Sequence, residues 1–99
     1  MMEEKYRNLA AACNIFTEEY DLSVDQNISS LDLSIKQGYI DYQKLNNEFC
    51  EAISDPDFEW LDFAIKSKMI IYNIDQYDNE KVKNIVLNVI GGYLTNDFR

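Results

Sequence analysis

The sequence contains no histidine. That absence removes the side chain most often used as general base, as partner of a nucleophile and as zinc ligand, so enzymatic chemistry would fall to carboxylates, cysteine or tyrosine. Glycine and proline are scarce, three and one in 99 residues, which excludes collagen-like and Pro/Gly-rich low-complexity character and leaves long stretches open to helix. The two cysteines, Cys13 and Cys50, lack metal-ligand spacing, and both fall among the core-facing positions of predicted helices. They read as buried free thiols, with a disulfide or a reactive thiol as the alternative. No apolar run approaches the ~20 residues of a membrane-spanning helix, residues 69–74 and 85–94 included. The first residues, MMEEKYRNLAAAC, carry acids where a secretory leader carries bases. A soluble, cytoplasmic protein is the expectation.

Cations are also few. Nine Lys and Arg face 18 Asp and Glu, a net charge of −9. That sign argues against nucleic acid and anionic membranes as direct ligands, and for a basic protein partner or a nucleic-acid-binding site to be blocked. What is abundant is apolar and aromatic surface, 46% hydrophobic and 13% aromatic residues. Such a chain buries enough area to fold, and at this length it makes one domain, residues 1–99, with one core.

The apolar spacing predicts helices. Tyr6, Leu9, Cys13, Phe16 and Tyr20 recur at steps of three and four and predict a helix over 3–20, widened by Ala10, Ala12 and Ile15. Over 21–38, Val24, Ile28, Leu31 and Ile35 keep helical spacing while Leu31, Leu33 and Ile35 also alternate as a strand would. A helix is favoured, capped by Ser23 and ended by a left-handed Gly38, with a break inside permitted by Ser29, Ser30 and Ser34. Asp41 is an N-cap for a helix carrying Tyr42, Leu45, Phe49, Ala52 and Ile53 and stopping near Ser54.

The stretch 55–74 holds the only proline and the only tryptophan and is expected to organise the rest. Asp55-Pro56 reads as a helix start. Leu61, Ala64, Ile65, Lys68 and Met69 would form one face, and Asp55, Glu59, Asp62 and Lys66 an opposite stripe with Phe63 and Ile70 beside it, an aromatic edge that the plainer and favoured reading packs against a neighbouring helix. The run 69–74 could continue this helix or turn into a short strand, as its β-branched and aromatic content permits, and with no second strand to pair with it is kept helical. A polar turn over 75–79 leads to a last helix over 80–90 with Val82, Ile85, Val86 and Val89 inward. Gly91-Gly92 would stop it, after which Tyr93, Leu94 and Phe98 fold back onto the core. The predicted fold class is all-α, a compact bundle of four to five helices.

Motifs for chemistry are weak. Paired carboxylates such as Asp55 with Glu59 and Glu48 with Glu51 are explained by solvated helix faces, although a small carboxylate enzyme or metal protein can be assembled from such groups. Asn73, Asp75 and Tyr77 place tyrosine where an EF-hand needs an oxygen donor, with no glycine at the turning position. Gly91-Gly92 has no phosphate-binding pattern around it. No catalytic residue, cofactor or metal site is assigned. Tyrosine beside acid recurs, at Glu19-Tyr20-Asp21, Tyr39-Ile40-Asp41-Tyr42 and Asp75-Gln76-Tyr77-Asp78. Tyrosine offers contact area with few rotatable bonds, and adjacent carboxylates pair with Lys and Arg. Tyr20, Tyr42 and Tyr72 are expected in the core, Tyr39 and Tyr77 at the surface.

In size, charge and texture this chain resembles the immunity proteins of bacterial toxin systems, of the colicin and contact-dependent growth inhibition kinds; the resemblance rests on no motif. It implies an acidic surface docked over the basic groove of a cognate toxin, typically a nuclease. On the residues, that surface is expected at Tyr39, Asp41, Glu48, Glu51, Asp55, Asp57, Glu59, Trp60, Asp62 and Phe63. A phage or mobile-element inhibitor that mimics nucleic acid is the rival of the same class. A subunit or adaptor whose acidity serves only solubility is the bland reading.

Overall fold

The computed structural model describes residues 5–17 and 24–96. Among them are the helices α1 (Arg7–Ile15), α2 (Val24–Lys36), α3 (Tyr42–Ser54), α4 (Trp60–Lys66), α5 (Asn79–Val86) and α6 (Gly92–Asn96), and no strand. A short 3-10 turn, Ile74–Gln76, precedes α5, and a π turn, Leu87–Gly91, joins α5 to α6 without a break. The fold is the expected all-α bundle, with a radius of gyration of 12.4 Å, against about 13 Å for one compact domain of this length.

The shared core consists of the apolar faces the spacing defines: Leu9 and Cys13 of α1, Leu31 of α2, Leu45 and Phe49 of α3, Phe63 of α4, and Val82, Val86, Ile90 and Tyr93 of the last helical run. Helix α1 packs most closely on α3 and also meets α2 and α4, while α4 packs on α5. The helix expected over 3–20 is shorter among the described residues, because Phe16 and Thr17 leave it. The N-terminal acids Glu3 and Glu4, together with Ser23, Tyr20 and Phe98, lie outside those residues. Helix α2 runs unbroken, and Gly38 closes it at φ +85°. The Tyr39 N–H donates to the Ser34 carbonyl (2.9 Å) and the Gly38 N–H to that of Ile35 (3.1 Å), the paired bonds of a Schellman end. Asp41 caps α3 as expected, its side chain accepting from the Lys44 N–H at 3.0 Å. Asp78 does the same for α5 through the Lys81 N–H at 2.8 Å.

Three expectations fail in the second half. Asp55-Pro56 does not start a helix. Asp55 ends α3 in an extended conformation (ψ 109°), its Oδ1 accepts from the Asp57 N–H at 2.9 Å, and its carbonyl accepts from the Phe58 N–H at 3.2 Å. The Asp-Pro pair therefore makes a turn, in which proline is equally at home. The turn sends Phe58 inward, where its ring lies 5.1 Å from Tyr6, 4.5 Å from Trp60 and 5.3 Å from Phe63. Each such pair contributes about 0.5–1.5 kcal/mol beyond buried area.

Nor does the helix continue through 69–74. It ends at Lys66, and Lys68 adopts a left-handed φ of +65°. The Met69 N–H reaches the Ala64 carbonyl (2.9 Å) and the Lys68 N–H that of Ile65 (3.1 Å), so the Schellman pattern of Gly38 is repeated on a lysine. A left-handed non-glycine residue costs roughly 1–2 kcal/mol. Here Thr17 Oγ1 donates to the Lys68 carbonyl at 2.6 Å and Asn14 Nδ2 to that of Ser67 at 2.9 Å, which fixes the turn against the end of α1. Met69 and Ile70 are carried into the core, while Tyr72, expected inside, is 57% exposed.

Gly91-Gly92 is no stop. Both are helical, Gly92 at φ −60°. A side chain at Gly91 would place its Cβ 3.0 Å from Phe49 Cζ, so glycine serves here to let α3 approach rather than to end a helix. Tyr93, on the continuing helix, is buried and donates to Asp32 Oδ1 at 2.8 Å.

Candidate functional site

The residues expected to bind a partner do not form one patch. Tyr39 and Asp41 precede α3 and Asp55 follows it, so its thirteen residues hold them about 20 Å apart at the ~1.5 Å rise of a helix. Trp60 and Phe63 are 2% and 1% exposed, which removes both as surface contacts. Phe63, beside the expected stripe, packs against Tyr6, Phe58 and Trp60, as the reading of it as a helix-packing residue has it, and is lost to the contact surface.

Glu48 has an internal role. One carboxylate oxygen accepts from the backbone N–H of Leu9 and the other from Asn8 Nδ2, both at 2.9 Å. Leu9 lies in the first turn of α1, whose N-cap residue Tyr6 provides no side-chain cap. Glu48 thus satisfies an N-terminal donor of α1 from another helix, with its negative charge at the favourable end of the dipole. Asn8 Oδ1 in turn accepts from the Asp41 N–H at 2.9 Å. Asp41 and Glu48 are in this way part of the joint between α1 and α3. Tyr39 stands beside that joint, 79% exposed. Arg7 and Lys44 line the same groove, and its charge is therefore mixed.

The acidic character concentrates at the other end of α3, around the turn that leads to α4. Asp55, Asp57 and Glu59 are exposed, and none belongs to an ion pair among the described residues. Glu51 and Asp62 flank them, each beside one cation: Glu51 lies 3.4 Å from Lys5, which raises the lysine's pKa, and Asp62 lies 3.0 Å from Lys66. The stripe expected on one helix face is in fact a turn, an N-cap position and the first turn of α4.

A cleft of about 230 Å³ opens between this corner and α5. Asp55, Pro56, Phe58 and Trp60 line one side, and Asn79, Glu80 and Lys83 the other. The Asn79 side-chain carbonyl already accepts from the Leu61 N–H at 2.8 Å. Sequence reasoning missed Pro56, Phe58 and Glu80 because nothing local places Glu80, 25 positions on, beside Asp55. The usable signal was the Asp78 cap, which puts Glu80 in the first turn of a helix.

Both cysteines are free thiols. Cys13 is buried as expected, and desolvation pushes its pKa up to about 12. Cys50 is exposed on α3, not core-facing. Tyr77, expected as a contact residue, packs partly buried against the core, and Tyr42 is likewise partly buried with its hydroxyl 3.4 Å from the Leu94 carbonyl. Among the described residues no group of three or more Cys, Asp or Glu is arranged to hold a metal ion, and no helix is long and apolar enough to cross a membrane.

The fold and this surface define a small, acidic, all-α domain with a carboxylate-rich corner. No protein-family model, curated protein or solved structure matches the chain.

Proposed function

We propose that this protein binds and neutralises a cationic protein, and that the pair is a bacterial toxin, with nuclease activity, and its cytoplasmic immunity protein. The observation that supports this reading is the corner formed by Asp55, Asp57 and Glu59 with Glu51 and Asp62 beside it. These carboxylates stand exposed on a turn and a helix start whose backbone is anchored by the inward-packed Phe58 and Trp60, and they are placed to meet Lys and Arg around a nucleic-acid groove. The net charge of −9 adds long-range steering, which speeds association with a basic partner.

The corner, rather than the Tyr39 groove, is the docking surface, because Glu48 is committed through both oxygens to α1 and the groove also carries Arg7 and Lys44. The partner is to be recovered from the native cell with the full chain as bait and assayed for nuclease activity. Reversal of Asp55, Glu59 and Asp62 to lysine should weaken its binding by at least about a hundredfold, since each lost close charge contact contributes on the order of 1.5 kcal/mol or more. A partner that is not basic, or unchanged binding by the triple variant, would defeat the proposal.

A further inference from the structure

We infer that the cleft between the 55–60 corner and α5 is a pocket for one arginine side chain of the basic partner; this rests on the docking surface proposed above and says what that surface selects. At about 230 Å³ the cleft falls below the roughly 300 Å³ at which pockets for drug-sized ligands begin, so it suits a single long side chain. Its walls are of two chemistries. Pro56 and the half-buried Phe58 contribute apolar and ring surface, the largely buried Trp60 borders them, and Asp55 and Glu80 contribute carboxylates from two different elements. Asp55 Oδ1 is engaged by the Asp57 N–H, and Glu80 belongs to none of the ion pairs among the described residues.

A guanidinium satisfies both chemistries at once. It is planar and weakly hydrated, stacks on aromatic faces and directs several N–H donors in its plane toward carboxylates. The lysine ammonium is a compact, strongly hydrated charge and matches such a site less well. Lys83, which lines the same cleft, forms none of the ion pairs among the described residues. Its charge in the cleft opposes an incoming cation, an effect that substitution can isolate.

Trp60, the only tryptophan, borders the cleft and, with its ring 4.5 Å from that of Phe58, reports on occupancy through this neighbour although it is itself almost wholly buried. The full chain is titrated with fluorescently labelled hexa-arginine at an ionic strength of about 0.15 M, where longer-range charge effects are largely screened. Peptide anisotropy and Trp60 emission are followed together. Saturable binding with a matching Trp60 response is expected. Asp55→Asn with Glu80→Gln should weaken it about tenfold, whereas Asp57→Asn with Glu59→Gln, an equal change in net charge outside the cleft, should weaken it less than about threefold. Lys83→Gln should tighten binding more than Lys81→Gln does. Circular dichroism of each variant verifies the fold.

Equal losses from the two carboxylate pairs, peptide binding without a Trp60 response, hexa-lysine binding as tightly as hexa-arginine, or no binding at all would overturn the pocket. Loss of the toxin on reversing Asp55, Glu59 and Asp62, together with equal losses from the two carboxylate pairs, keeps the docking surface and removes only the arginine pocket. A partner that is not basic removes both.

Discussion

Cys13 and Cys50 occupy superficially similar positions in apolar helical patterns, and packing separates them completely. Cys13 lies in the joint core with no exposed surface, while Cys50 is on the outer side of α3. The consequence at this scale is a pH dependence. Burial raises the Cys13 pKa from an ordinary 9.0 to about 12, so above pH 9 the unfolded chain releases a proton that the folded chain retains. Its contribution to stability is complete below pH 9 and declines between pH 9 and 12. At pH 10 the loss relative to pH 8 should be about 1.4 kcal/mol, the equivalent of one pH unit. Urea unfolding of the wild type and Cys13→Ala at the two pH values checks this, since alkaline effects of other groups are common to both and the variant lacks only the thiol's share. Equal pH dependence in the two proteins would refute it.

Helix ends were the least legible elements, for a reason that recurs. Asp-Pro, Gly-Gly and a lysine are each compatible with more than one terminus, and their roles are decided by what lies across from them. Pro56 makes a turn because Phe58 has three rings to meet. The glycine at 91 admits Phe49, and Lys68 turns left-handed where Thr17 and Asn14 reach its backbone. By contrast Asp41 and Gly38 act as their local sequence indicates, because their hydrogen bonds close within five residues. Glu48 shows the same contrast, as it resembles any solvated helix carboxylate and yet caps α1. Glu48→Ala should therefore cost about 2 kcal/mol, the range of hydrogen bonds to a charged group, against less than about 0.5 kcal/mol for Asp57→Asn at the exposed corner. Chemical denaturation of both variants measures the difference. Equal stabilities would return Glu48 to the surface set.

For the whole molecule, the excess of nine negative charges acts on folding and binding with opposite signs. Carboxylates of the compact state repel one another, and the same field attracts a basic partner. Raising sodium chloride from about 0.05 to 0.5 M should stabilise the fold by a few tenths to ~1 kcal/mol and slow association with the partner by about tenfold or more. Thermal unfolding and stopped-flow association, each at both salt concentrations, read the two effects. A lower melting temperature at high salt, or an association rate insensitive to salt, would show that the charge is balanced locally.

The sequence by itself determined the class of fold, the apolar faces of α1, α2, α3 and α5, the Asp41 helix cap, the left-handed Gly38 and the sign of the surface potential. All of these follow from periodicity, short-range hydrogen bonding or a sum over charges, and none needs to know which helices are neighbours. Only the tertiary structure decided that Trp60 is core, that Glu48 and Asp41 belong to a joint, and that Asp55 and Glu80 line one cleft. Those are contacts between residues distant in the chain. A side chain's neighbours fix whether its charge or ring is satisfied internally or left for a partner, and local spacing carries no record of them.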